Sequence, residues 1–231
     1  MQNNTEHVAI IPDGNRRWAK GKSLLPWKGH YEGMKRIEEI VKNGEKFGIT
    51  HLTIWGGSYN NLTKRTRKEI SVLDILYRKA AKKLLHNKEF LDSDTRVRFI
   101  GEWQQLLKKE TVKSMKEIES VTKGNSRYNL TGLIGYNGNR EMLSAIKSIV
   151  KNHEGEIQSE TIKNYLWTHD LPAVDLIIRT GGEPHFSNGF MMWDTQNAHF
   201  HFSNKMWPDF NITDLHNILQ DFRNKERRLG A

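Results

Sequence analysis

The chain of 231 residues is 36% hydrophobic and 27% charged, a balance that fits one α/β domain and excludes collagen-like and low-complexity chains. It contains no cysteine, which excludes disulfides, zinc–thiolate sites and cysteine nucleophiles and is compatible with a cytoplasmic location. Its formal charge of +9 favours an anionic partner: a phosphorylated substrate, a membrane surface or nucleic acid. Neither a secretory signal nor a membrane-spanning helix is expected.

Apolar periodicity predicts strands and helices that alternate along the first half of the chain. Short apolar runs that end in Gly or Pro are typical of buried strands, and apolar residues three and four apart are typical of helices. The predicted elements are a strand at 7–11, a helix at 29–47, a strand at 51–55, a helix at 67–85, a strand at 96–100 and a helix at 103–123.

The second half continues the alternation, with a strand at 128–136, helices at 139–151 and 159–167, strands at 174–178, 190–193 and 198–202, and a helix at 214–225. This order predicts a mostly parallel central sheet of about six strands, flanked by helices, in one domain covering residues 1–231. Ligands of such sheets bind beyond the carboxyl ends of the strands. The candidate loops are therefore 13–18, 56–64 and 179–188.

The first loop combines Asp13 and Gly14 with two arginines. Gly14 lets backbone N–H groups turn towards a phosphate, and Arg17 is suited to a forked contact with it. Asp13 alone would repel a phosphate, so its presence indicates a Mg²⁺ ion that bridges the two. Taken alone, this loop is better explained as a turn with solvated charges.

The other two loops also carry small, polar and basic residues. The second offers hydrogen bonds from Ser58 and Asn61 and a charge from Lys64 or Arg65. A turn with a helix N-cap at Asn61 or Thr63 also explains it. In the third, Arg179 ends a very apolar strand beside two glycines. A charge there is costly unless an anion meets it, which favours a functional role.

These loops together resemble the cis-prenyltransferase family of the undecaprenyl diphosphate synthase type, and the resemblance covers nearly the whole chain. Five ordered segments are far more specific than a single short motif. The matching segments are 7–19, Gly29-His30 with Gly33, 175–183, 207–210 and 226–230.

The resemblance implies condensation of isopentenyl diphosphate with an allylic diphosphate to a cis-polyprenyl diphosphate, with release of diphosphate. It also implies Mg²⁺, a homodimer and an apolar tunnel for the growing chain. Asp13 is then the catalytic carboxylate and metal ligand, and Asn61 aligns with the residue often assigned to proton removal. Because an amide is a very weak base, Asn61 is better suited to orient groups, and the departing diphosphate is the better proton acceptor.

The implied substrate-binding residues fall into three groups. The allylic group is Gly14, Asn15, Arg16, Arg17, Trp18 and His30; the second-loop group is Ser58, Tyr59, Asn60, Leu62 and Lys64; and the isopentenyl diphosphate group is Arg179, His185 and Ser187. Candidates for the tunnel wall, or for plain core packing, are Leu73, Leu76, Ala80, Leu84 and Leu85.

Several positions depart from the family pattern. Pro26, Lys64 and His185 stand where the family usually has arginine, and Asn60 stands where it has glutamate. His199 aligns with a glutamate that helps to hold Mg²⁺, yet a neutral imidazole is a poor ligand for this hard cation. His199 is therefore a doubtful metal ligand, which either contacts diphosphate or packs within its strand.

These departures keep two alternatives open: irregular head-to-middle coupling of short prenyl diphosphates, and a non-catalytic subunit that binds prenyl diphosphate beside an active homologue. Residues 61–90 hold nine basic and three acidic side chains, and this flank indicates peripheral contact with the inner membrane face. Nucleic-acid binding rests on charge alone, and we expect no nucleic-acid partner.

Overall fold

Six parallel strands form the central sheet of the computed structural model, which describes residues 7–224. The strands are β1 (His7–Ile11), β2 (His51–Ser58), β3 (Thr95–Ile100), β4 (Tyr128–Tyr136), β5 (Leu176–Arg179) and β6 (His199–Phe202). Their order across the sheet is β3-β4-β2-β1-β5-β6, and every neighbouring pair is parallel. The α/β class and the six-stranded parallel sheet are confirmed.

Ten α-helices flank the sheet within the described residues. They are α1 (Asn15–Gly21), α2 (Pro26–Gly44), α3 (Tyr59–Lys64), α4 (Arg67–Leu85), α5 (Lys88–Leu91), α6 (Trp103–Leu106), α7 (Lys109–Val121), α8 (Gly138–Asn152), α9 (Ser159–Tyr165) and α10 (Ile212–Asn224). None of these helices is long and apolar enough to span a membrane. The predicted segment 226–230 lies outside the described residues.

The central strand β1 is buried along its whole length because helices cover both faces of the sheet. Val8 and Ile10 pack on one face in a core that includes Phe210 from the chain end. Ala9 and Ile11 pack on the other face with Trp55 and other aromatic residues. The apolar run from Val8 to Ile11 in β1 thus follows from its position between two cores.

The helix predicted at 103–123 is wrong in one respect, because it is broken into α6 and α7. Leu107 and Lys108 are extended, with ψ angles of 160° and 150°. The buried Asp74 of α4 accepts hydrogen bonds from the Lys108 N–H at 2.8 Å and the Thr111 hydroxyl at 2.9 Å. A side chain distant in sequence therefore stabilises the start of α7, and periodicity alone does not reveal it.

The strand predicted at 190–193 is also wrong, since this segment forms successive turns. Asn188, Gly189 and Met191 have φ angles of 48°, 60° and 46°, which an extended strand does not permit. Phe190 and Met191 are nonetheless fully buried beneath the sheet rim. The segment is apolar because it is a buried turn, and not because it is a strand.

Candidate active site

The three predicted loops converge on one cavity of about 630 Å³ at the carboxyl edge of the sheet. Ile11 at the end of β1 pairs with Arg179 at the end of β5, and β2 ends beside them at Ser58. Parallel strands bring these ends to one rim. Residues from all three loops line the cavity, among them Asp13, Asn15, Arg17, Ser58, Asn61, Arg179 and Ser187.

Asp13 is the centre of a charged cluster at the cavity wall. Its Oδ2 accepts a hydrogen bond from Arg179 Nη2 at 2.9 Å, and its Oδ1 lies 3.3 Å from Arg17 Nη2. The N–H of Gly14 donates to the same Oδ1 at 2.6 Å. Gly14 has a φ of 99°, and a Cβ there would lie 2.6 Å from Met206 Sδ, so glycine is required. The carboxylate is thus held facing two guanidinium groups.

Arg179 is buried although it is charged, and its contacts explain how the chain accommodates it. Besides the bond to Asp13, its Nη1 donates to the Ser187 hydroxyl at 2.9 Å and to the His185 carbonyl at 2.6 Å. Its Nε is buried with no hydrogen-bond partner among the described residues. Arg179 therefore ties the third loop to Asp13 and keeps one donor unused.

The second loop is a short helix, α3, rather than an irregular loop. Ser58 caps it, since its hydroxyl accepts from the Asn61 N–H at 3.1 Å while Asn61 Oδ1 accepts from the Ser58 N–H at 3.3 Å. The cap therefore lies at Ser58 and not at Asn61 or Thr63. Because its oxygen faces the backbone, Asn61 presents its amide N–H groups elsewhere, as a hydrogen-bond donor.

A second charged cluster lies beside the cavity around His30. Arg65 Nη1 donates to His30 Nε2 at 3.1 Å, and Glu69 lies 3.8 Å from that nitrogen and 3.3 Å from Arg16 Nε. Burial, followed by the charges of Arg65 and Arg16, lowers the pKa of His30 to about 4. His30 is thus neutral at neutral pH and accepts a hydrogen bond from Arg65.

The sequence pattern left Arg65 as an alternative to Lys64 and did not single out Glu69, yet both Arg65 and Glu69 lie in this cluster. Burial lowers the pKa of Arg65, and the Glu69 carboxylate opposes that shift. Arg65 lines the cavity, whereas the predicted Lys64 is exposed outside it. The spacing of four residues between Arg65 and Glu69, with Thr66 at the cap of α4, was the available signal.

Other predicted residues lie around the cavity or away from it. Trp18 Nε1 donates to Asp209 at 2.7 Å, and the Tyr59 ring lies 3.9 Å below the Arg140 guanidinium. Leu62 is buried in the core beneath α4, so it is a packing residue. His185 is exposed, with its ring 2.9 Å from the Ser187 hydroxyl. Asn60 is half-buried on α3 and does not line the cavity.

Within one chain, the structure does not bring His199 to Asp13. His199 opens β6 opposite Leu176, whereas the cavity lies at the other end, where Phe202 pairs with Arg179. Three residues of strand separate the two ends by about 10 Å. The His199 ring instead lies 5.9 Å from the Phe222 ring of α10. The expectation of a metal pair within one chain is corrected accordingly, and residues 7–224 contain no cluster of three metal-binding side chains.

A second cavity, of about 620 Å³, lies beside the first between the sheet, α2 and α4. Both cavities share the wall residues Met34, Ile37, Gly56 and Tyr77. Gly56 places no side chain at this shared wall, and Tyr77 donates to its carbonyl at 2.9 Å. Of the predicted wall residues, Leu73 and Leu76 line the first cavity and Ala80 and Leu84 line the second, whereas Leu85 lines neither.

Comparisons with known proteins agree with this arrangement. Residues 11–230 match the family model described as "Putative undecaprenyl diphosphate synthase". The chain is 35% identical over 231 residues to a tritrans,polycis-undecaprenyl-diphosphate synthase (geranylgeranyl-diphosphate specific) of Pyrococcus abyssi, covering 97% of this chain and 86% of that one. It is 35% identical to an isoprenyl transferase of Staphylococcus saprophyticus, covering 100% and 91%.

Among solved structures, lavandulyl diphosphate synthase from Lavandula x intermedia, in complex with dimethylallyl diphosphate, superposes with a TM-score of 0.88. The two share 27% identity over 97% of each chain. The family model covers nearly the whole sequence, and the relatives match across the full sheet and both cavities. This chain therefore belongs to the undecaprenyl diphosphate synthase family of cis-prenyltransferases.

Proposed function

We propose that this chain condenses isopentenyl diphosphate with an allylic diphosphate to form a cis-polyprenyl diphosphate, and that residues 1–231 act as one catalytic domain. One observation carries the proposal. Four arginines, Arg16, Arg17, Arg65 and Arg179, line a cavity with Asp13, and this cavity shares a wall with a second, mainly apolar one. Cationic groups suit diphosphates, and an adjacent apolar cavity suits a growing prenyl chain.

When the allylic C–O bond ionises, negative charge develops on the diphosphate oxygens. Arginines in a partly dry cavity stabilise that charge. We assign Arg17 and Arg65 to the diphosphate of the allylic substrate. Arg179 and Ser187 then bind the diphosphate of isopentenyl diphosphate. Asn61 donates hydrogen bonds that orient a substrate, since its oxygen is occupied by the Ser58 N–H. The departing diphosphate then takes the proton that the isopentenyl unit loses as the new double bond forms.

The residues present fit Mg²⁺ at this cavity. This ion commonly takes one or two carboxylates together with substrate oxygens and water, and Asp13 is a carboxylate that faces the cavity. When bound, the ion neutralises charge on the departing diphosphate. Asp13 would hold it, and Arg179 and Arg17 orient the Asp13 carboxylate.

Product analysis tests the proposed reaction. The chain is incubated with labelled isopentenyl diphosphate and farnesyl, geranylgeranyl or dimethylallyl diphosphate, with Mg²⁺ or with a chelator. We expect a ladder of products longer than the primer, lost on chelation. Relatives matched over nearly the full length are named as undecaprenyl-diphosphate synthase or isoprenyl transferase, so irregular coupling and a non-catalytic role are not favoured. A single branched product, or no product, would contradict chain elongation.

Substitution of two adjacent basic residues distinguishes a role in substrate binding from a position on the surface. Arg65→Gln is expected to raise KM for the allylic diphosphate about tenfold or more, because it removes a charged hydrogen-bond donor from the cavity. Lys64→Gln, which removes the same charge from the exposed side of α3, is expected to change KM less than about twofold. Initial rates at varied allylic diphosphate measure both. If Lys64→Gln raised KM more than Arg65→Gln, Lys64 would be the residue that takes the place of the family's second-loop arginine.

We also propose a homodimer, formed through the outer edge of the sheet. Within residues 7–224, β6 pairs with β5 alone and leaves Phe200 and Phe202 exposed, stacked on each other at 6.0 Å, with Phe186 beside Phe200. An exposed aromatic patch on an edge strand is typical of an interface. Sedimentation of the wild type should give twice the chain mass, and Phe202→Asp should give a monomer. A wild-type monomer would exclude this assembly.

The charge distribution supports a cytoplasmic enzyme that contacts the membrane face. α4 exposes Lys79, Lys82 and Lys83, and its first turn exposes Arg67 and Lys68. Basic side chains near a bilayer are attracted by acidic headgroups. Such a location would suit an enzyme whose product is a lipid.

A further inference from the structure

The corner between α1 and α2 carries an exposed apolar and basic surface that the proposed chemistry does not use. Leu24 and Leu25 are 44% and 54% exposed at its tip. Lys22 and Lys28 flank them and are exposed, and Trp27 lies half-buried beside them. We refer to residues 20–28 as the α1–α2 corner.

Backbone hydrogen bonds fix this corner in place. Ser23 has a φ of 56°, and the N–H groups of Ser23 and Leu24 donate to the carbonyls of Lys20 and Ala19 at 3.0 and 2.8 Å. Leu25 follows with extended backbone as the N-cap of α2. The two leucines are therefore held out in water by a fixed backbone, and exposed apolar groups of this kind mark contact surfaces.

The charges around the corner have one sign. Residues 14–31 contain five basic side chains and no acidic one. The two arginines pair with carboxylates of the site, whereas Lys20, Lys22 and Lys28 form no ion pair with any residue of 7–224. From α4, Lys68 adds a fourth charge, with its Nζ 4.2 Å from the centre of the Trp27 ring.

We propose that the α1–α2 corner docks the enzyme on an anionic lipid bilayer. Leu24 and Leu25 enter the boundary between headgroups and acyl chains, Trp27 lies at the interface, and the lysines contact acidic headgroups. The inference rests on the proposed membrane contact and names its surface. Lys20 and Leu24 also line the first cavity, so docking turns the cavity mouth towards the lipid.

The test uses the full chain and vesicles without substrate. Wild type is expected to co-sediment with phosphatidylcholine vesicles that contain roughly one-third phosphatidylglycerol, and not with phosphatidylcholine alone. Leu25→Ser should lower the partition coefficient about tenfold, and Lys22→Gln with Lys28→Gln about fivefold for each lysine. Serine is a good N-cap, so Leu25→Ser should preserve the start of α2, which circular dichroism checks.

Matched variants on other surfaces provide the control. Val121→Ser removes an apolar side chain of similar exposure, 56%, and Lys147→Gln with Lys151→Gln removes two exposed charges from α8. Both should bind vesicles within about twofold of wild type. Equal losses in test and control variants, equal binding to neutral vesicles, or no binding would overturn the proposal.

Turnover separates this inference from the proposed function. Leu25, Lys22 and Lys28 lie outside both cavity walls, so their variants should elongate a short, water-soluble primer at the wild-type rate without vesicles. Loss of vesicle binding with intact turnover supports the docking surface. A wild type that binds vesicles but forms no product would refute the proposed function and leave the docking surface standing.

Discussion

Replacing Asp13 with asparagine is expected to lower kcat about a thousandfold while the protein stays folded. Asp13 is the carboxylate that faces the cavity, and it contacts Arg179 and Arg17. The amide has nearly the same shape, but it carries no charge to hold a divalent ion or to align two guanidinium groups. Single-turnover assays with saturating substrates and Mg²⁺ measure the chemical step apart from binding.

The control for this substitution is Glu183→Gln. Glu183 is a second carboxylate that contacts Arg17, at 3.2 Å, but it is half exposed and does not line the cavity. Its replacement should lower kcat less than about tenfold. Equal losses for Asp13→Asn and Glu183→Gln would mean that the rate depends on restraining Arg17 and not on the Asp13 charge.

The stability of Asp13→Asn distinguishes a local effect from unfolding. Arg179 loses a charged partner but keeps Ser187 and the His185 carbonyl. Since Asp13 is partly exposed, the free energy of unfolding should fall by only about 1–3 kcal/mol. Urea denaturation measures this change, and a much larger loss would attribute the missing activity to the fold.

Sequence pattern predicted most of the fold because the four inner strands of this sheet, β1, β2, β4 and β5, are largely buried on both faces. The runs at 7–11 and 128–136 match β1 and β4 residue for residue, and the helix at 67–85 matches α4. Errors arose where tertiary contacts decide the local structure. Asp74 stabilises the start of α7 from another helix, and burial of Phe190 in a turn produced an apolar run without a strand.

The sequence predicted which loops form the site, but not which residues within a loop face the cavity. Reading residues 56–64 as a loop gave Leu62, Lys64 and Arg65 equal access to a ligand. As α3, the segment rotates about 100° per residue, which turns Leu62 into the core, leaves Lys64 in water and lets Arg65 enter the cavity after the helix ends. His199 is a different case, because it lies near the amino end of its predicted strand, away from the carboxyl edge where ligands bind. Its metal role was implied by the family alignment and not by the strand pattern.

Replacing Arg179 with glutamine is expected to raise KM for isopentenyl diphosphate about a hundredfold and KM for the allylic diphosphate less than about fivefold. The prediction follows from its position, since Arg179 holds Ser187 and the third loop and keeps a buried Nε without a partner among the described residues. A buried, charged donor to a phosphate contributes more than a neutral one. Rates at varied concentrations of each substrate, with the other saturating, separate the two effects.

Arg98→Gln is the matched control, because Arg98 is also an arginine of low exposure at a strand of the sheet. It pairs with Asp170 at the β3 edge and lines neither cavity. Both variants lose an ion pair and should lose similar stability, yet only Arg179→Gln should discriminate between the two substrates. If KM rose equally for both substrates in Arg179→Gln, or rose as much in Arg98→Gln, the arginine would support the sheet rim and not a diphosphate. The contrast follows from position: Arg179 ends β5 at the cavity, whereas Arg98 lies within β3 and pairs with Asp170.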